Sequence, residues 1–357
     1  MAETNVGSHA GHQVNLSKMQ TRARCSMVQI SARCLTVIGL YVSQETALSA
    51  AEVPLADRTV LSFAEPREGV EAITRRDEYI VQMSPFDRQV RLKTDRAVTE
   101  QEVLTMIAQN VVAWQPAEIE RITPIVESLA AKLASWKLPL PPLVLLVKTT
   151  GREEAGAAYC RGAAIVLPQN MIDGDQKKLA TILAHETFHV LSSHNPKLRR
   201  ALYETIGFRP CNEVQLPEPL AARKITNPDA PVNRYFLTAE WEGRPVDLMP
   251  ILFSKSERYD AARGGTLFQY LDFKLLVLTG DGNERRAALA VGQPILLDPA
   301  SVPGFAEQVG RNTRYTIHPE EILADNFVFL LNGRIDLPSP QIVQKMGAVL
   351  QEAVVEK

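Results

Sequence analysis

The stretch Asp175-Gln-Lys-Lys-Leu179-Ala-Thr-Ile182-Leu183-Ala-His185-Glu186-Thr187-Phe188-His189-Val190-Leu191 decides the reading of this chain. Its apolar residues recur at helical spacing, and Asp173 or Asp175 can cap its start. It should stop by Asn195-Pro196, because the residue before a proline disfavours helix. On one helix, residues four apart share a face, so His185 and His189 point the same way.

Two imidazoles at that spacing can grip one zinc ion, and Glu186 lies one step round the helix. This is the H-E-x-x-H pattern of zinc metalloproteases, with the glutamate as general base. The competing reading is an ordinary amphipathic helix with exposed histidines. Only His185, His189, His194 and His318 lie beyond residue 51, so half of them fall in the motif.

A catalytic zinc needs a third protein ligand and an open position. His194 is one candidate, but Ser192 and Asn195 stand where the metzincin pattern needs glycine and histidine. Glu321 is better placed, in His318-Pro-Glu-Glu-Ile-Leu-Ala-Asp325. Asp325, four residues on, shares its face and can accept the free N–H of a ligand histidine. Glu320 is the near rival, with Ala324 rather than an acid four residues on. The bland alternative for this pair is a solvated first turn rich in acids.

His185-Glu-Thr-Phe-His189 followed by Glu321-Ile-Leu-Ala-Asp325 resembles the gluzincin metallopeptidases. The resemblance implies His185, His189 and Glu321 as ligands of one zinc ion per chain, Glu186 as base and Asp325 orienting His185. It implies a peptide or protein substrate. It also implies an oxyanion-stabilising Tyr or His, for which Tyr315, His318 and Tyr235 are candidates, Tyr315 first. The two motifs stand farther apart than in the family's best-known member, so residues 209–300 are expected to loop out and return. The motif does not choose the bond. A zinc amidase and a catalytically silent zincin-like binding protein stay open beside the peptidase.

Around this helix the pattern mixes helices and strands. Thr99-Glu-Gln-Glu102 is a capping box opening a helix toward Trp114. A second helix follows Pro116, kinked or split by Pro124. Leu143–Val147 and Ala163–Leu167 read as strands. The latter is either an edge offered to a peptide or an interior strand. Residues 52–96, with Glu78–Met83, read as irregular with a strand or two. Lys197–Ile206 reads as helix, 209–233 as a proline-rich loop, and Tyr235–Ala239 with Val246–Ile251 as a hairpin. Leu267–Leu278 fits strand or helix. Helices are expected over Pro319–Leu331 and Ser339–Val355. The order predicts an α+β fold, two-lobed and zincin-like, with the motif helix at the cleft. Its parts would be a leader over 1–51, one lobe over 52–195 and the other over 196–357.

The chain has 357 residues, 45% hydrophobic and 22% charged, an ordinary globular composition. A net charge of -2 lacks the basic excess of a nucleic-acid binder. Arg22, Arg24 and Arg33, the apolar run Cys34–Val42 and the small residues Ala47–Ala51 read as a secretory signal around 27–51, with Met27 a natural start. Export to a periplasmic or extracellular space follows, with no stable membrane span after signal removal, since the run is too short to span. The other reading is a disordered tail with a chance apolar segment. Cys160 and Cys211 would remain, either as a disulfide or as two free thiols.

Overall fold

A computed structural model describes residues 51–355 except Pro219, with side chains to Glu352. The leader read around 27–51 therefore lies outside the described residues, Ala51 excepted. Among the described residues no helix is long and apolar enough to cross a membrane.

The fold is α+β. Strands β1 (Glu52–Ala56) and β2 (Thr59–Phe63) form a hairpin. Helices α1 (Pro66–Ile73), α2 (Glu78–Gln82) and α3 (Pro85–Leu92) follow. Glu78–Gln82, expected as irregular or extended, is helical because Asp77 caps it, accepting from the Ile80 N–H. Helix α4 (Glu100–Asn110) opens on the Thr99–Glu102 capping box as predicted, but ends before Trp114. Helix α5 (Pro116–Leu133) runs through Pro124 without breaking. Ile122, Ile125, Val126 and Leu129 pack into the core on either side of that proline, and tertiary packing overrides the local penalty.

Strands β3 (Leu143–Thr149), β4 (Tyr159–Arg161) and β5 (Ala164–Pro168) complete a five-stranded sheet in the order β1-β2-β3-β5-β4. Strand β5 lies between β3 and β4, so the Ala163–Leu167 segment is interior rather than the edge. The edge on that side is β4, antiparallel to β5. This short strand carries no pattern long enough to be read in sequence.

After the single turn α6 (Gln169–Ile172), the motif helix α7 spans Gln176–His194 and is capped by Asp175. It packs against β4, β5, α5 and α8 (Pro196–Glu204). A second, antiparallel sheet follows, built on β6 (Phe208–Pro210), β7 (Tyr235–Trp241) and β8 (Arg244–Ser254). The ambiguous Leu267–Leu278 stretch is both things, a single turn α9 (Leu267–Tyr270) and then strand β9 (Leu271–Thr279). Helices α10 (Pro303–Val309), α11 (Pro319–Leu331) and α12 (Pro340–Val355) close the chain.

Residues 209–300 thus do not loop out loosely. They supply most of the second sheet, after which the chain returns to lay α11 against α7. Phe188 of α7 meets Phe327 of α11 with ring centroids 5.5 Å apart. Both are fully buried in the largest apolar cluster. Deleting a side chain of that size costs about 3–5 kcal/mol. This packing holds two polar helix faces against each other at fixed register.

Candidate metal centre

On α7, His185 and His189 face α11. The ligand atoms of His185, His189 and Glu321 all lie within 4.8 Å of one another. His185 Nε2 is 3.1 Å from Glu321 Oε2, and His189 Nε2 is 3.6 Å from the same oxygen. The two rings stand 4.7 Å apart, nearly perpendicular. These three residues are the set that the resemblance implies.

The atoms behind them are held. His185 Nδ1 lies 3.1 Å from Asp325 Oδ1, and Asp325 Oδ2 accepts from Thr313 Oγ1. Asp325 therefore stands where the sequence reading puts it. His189 Nδ1 lies 3.1 Å from Glu320 Oε1. Glu320 Oε2 accepts from Ser192 Oγ at 2.8 Å and from the Tyr203 hydroxyl. Glu320, considered in sequence only as a rival ligand, instead backs His189. Asn227 Nδ2 donates to Glu321 Oε1 at 2.6 Å, leaving Oε2 to face the imidazoles. Carboxylates behind metal-binding histidines fix the tautomer and ring orientation.

Do these residues fit a metal? His189 Nε2 is buried and has no hydrogen-bond partner. A buried polar atom without a partner is costly and rare. Its neighbours already supply a second imidazole nitrogen and a carboxylate oxygen, the donor set of a catalytic zinc site. The set fits zinc.

The electrostatics point the same way. Burial opposes charge on Glu321, but the His189 charge and the hydrogen bond with His185 outweigh it and hold its carboxyl well below the usual range. Burial likewise opposes charge on His185, yet hydrogen bonds to Asp325 and Glu321 prevail and raise its pKa to about 10. A metal must then displace a proton from His185 at neutral pH. Below that pKa the proton competes with the metal, so zinc affinity is expected to rise with pH. The slope is about tenfold per unit for each proton displaced. Calorimetry in buffers of different ionisation enthalpy measures the protons released; none released at pH 7 would contradict the protonated His185.

Glu186 is buried beside this set. Burial raises its carboxyl above the usual range, with the His189 and His185 charges opposing. Its Oε2 lies 3.3 Å from Cys160 Sγ on β4. Cys160, Glu186 and Asp229 offer a second group of ligand-type atoms within 4.8 Å of one another. Asp229 escaped the sequence reading because it sits in the proline-rich 209–233 stretch, where Asn227-Pro-Asp229 signals only a turn. Cys160 and Cys211 are free thiols, Cys160 buried and Cys211 partly so.

The remaining candidates separate clearly. Tyr315 precedes α11. It is 44% exposed, and desolvation and then the carboxylates of Glu321, Asp229, Glu186 and Asp325 raise its phenol pKa. His318 is the N-cap of α11, its Nδ1 accepting from the Glu320 N–H at 3.1 Å. Burial first of all drives its pKa down to about 4, matching an unprotonated acceptor nitrogen. His194 Nδ1 contacts the Val190 carbonyl at the end of α7. Tyr235 stacks edge-on against Tyr203.

Comparison of the chain with protein-family models, with curated proteins and with solved structures finds no match.

Proposed function

We propose that the chain is a zinc-dependent metallopeptidase of the gluzincin kind, with a zincin-like arrangement around α7. The observation that carries this reading is the convergence of His185, His189 and Glu321 within 4.8 Å, with Glu186 beside them. When bound, zinc supplies Lewis-acid polarisation of a carbonyl and lowers the pKa of water towards about 7.

The protein's own groups do the rest. Glu186 takes the proton of the attacking water as its oxygen bonds to the carbonyl carbon. It then delivers that proton to the leaving nitrogen as the C–N bond breaks, so its charge returns to the starting state. Tyr315 is the donor in this reading for the oxyanion that develops in between. Burial of Glu186 keeps bulk water from supplying and removing protons at random. Asp325 and Glu320 keep His185 and His189 from rotating away, and Asn227 does the same for Glu321. An amide bond of any carrier could react this way; peptides are the substrate that the family resemblance implies.

The reading is tested by hydrolysis of a mixed peptide library with the zinc-loaded full chain. Cleavage that stops on chelation and returns with added zinc is expected. A chain holding zinc that cleaves nothing in the library would instead favour a binding role.

A further inference from the structure

We propose that a cavity beside the β3–β4 turn holds a free α-amino acid with an apolar side chain, its ammonium on Glu153 and its carboxylate on Lys93 and Arg152. The inference does not depend on the hydrolase reading. The cavity measures about 360 Å³ and lies between the end of α3, the β3–β4 turn, α6 and α9. That volume is in the range of small-molecule sites. None of the residues lining it belongs to the metal centre.

The β3–β4 turn gives the cavity a fixed wall. The Gly156 N–H donates to the Gly151 carbonyl at 2.7 Å. Gly151 has φ +80°, and a Cβ there would stand 2.7 Å from Pro168 Cβ. Glu153 lies in this turn and is 1% exposed. Both its carboxylate oxygens are buried with no hydrogen-bond partner among the described residues. The Thr149 hydroxyl and the Glu153 N–H stand nearby without bonding to it. Arg91, which also lines the cavity, is taken up by Asp87 and Glu154. An unpartnered buried carboxylate is costly and rare. A ligand ammonium, with three donors and a positive charge, satisfies it.

The exposed side of the cavity has the opposite sign. Lys93 and Arg152 are exposed there, and among the described residues they pair with no acid. Both suit a carboxylate. A bare metal ion fits poorly, because hard cations take several oxygen ligands and here one carboxylate stands with two free bases. Val90, Ala155 and Leu267 add an apolar surface. A buried acid, an exposed pair of bases and an apolar wall match the three parts of an amino acid.

Calorimetry on the full chain tests this with L-leucine, L-phenylalanine and the amide and N-acetyl forms of each. At least one free amino acid is expected to bind about tenfold tighter than both its derivatives, the size of one charged hydrogen bond. Glu153→Gln should remove the advantage over the N-acetyl form. Lys93→Gln combined with Arg152→Gln should remove the advantage over the amide. That second variant changes only exposed residues, so it decides the matter if Glu153→Gln does not fold. Binding should persist in Glu321→Ala, which separates this cavity from the metal centre. The proposal is overturned if neither amino acid binds, or if a derivative binds as tightly as its free form. A preference that survives either variant overturns it too, as does binding lost in a folded Glu321→Ala chain. Calcium uptake that Glu153→Gln abolishes would assign the cavity to a metal instead and equally overturn it.

Discussion

Glu186→Gln is expected to keep zinc at wild-type stoichiometry while hydrolysis falls about a hundred- to ten-thousand-fold, the range for losing a positioned general base. The amide has nearly the shape of the carboxylate, and its oxygen can still accept from Cys160, so the buried pocket need not rearrange. It cannot take a proton at neutral pH. Nor does Glu186 belong to the group of ligand atoms formed by His185, His189 and Glu321, so metal content should not follow activity. Turnover and zinc content measured on one preparation check this. Unchanged turnover would remove Glu186 as base; loss of zinc with activity would make it a ligand.

Glu321→Ala is expected to abolish stable zinc binding, because it removes one of three protein ligands and leaves two imidazoles alone. It also strips both histidines of the carboxylate that they face at 3.1 and 3.6 Å. Glu320→Gln should act more gently. It leaves the ligand set intact but weakens the hold on His189 Nδ1, a change that lowers metal affinity about 10- to 100-fold. Competitive titration against a chromophoric chelator ranks the two. A larger loss for Glu320→Gln than for Glu321→Ala would exchange the assigned roles of these neighbouring acids.

The grouping of His185, His189, Glu321 and Asp325 was legible because helical spacing is rigid. His185 and His189 four apart, and Glu321 and Asp325 four apart, each define one helix face, and two such faces can share one ion. Helices with strong local signals were legible too, such as α4 from its capping box and α11 from its first-turn proline and Gly333 in the left-handed region. What stayed hidden was set by tertiary packing. The α2 segment alternates like a strand, yet Asp77 and its neighbours make it helix. The edge strand β4 is only three residues long. Glu320 looked like a spare acid because its value depends on Ser192 and Tyr203, residues far from it in sequence. Asn227 and Asp229 looked like turn residues because nothing local links them to α7 and α11.

The most direct test of the account is zinc content by elemental mass spectrometry on the purified full chain and on Glu321→Ala. About one zinc per chain, lost in the variant, is the result expected of the three-ligand site. A wild-type chain that takes up no zinc, even after reconstitution with excess metal, would contradict the account at its centre.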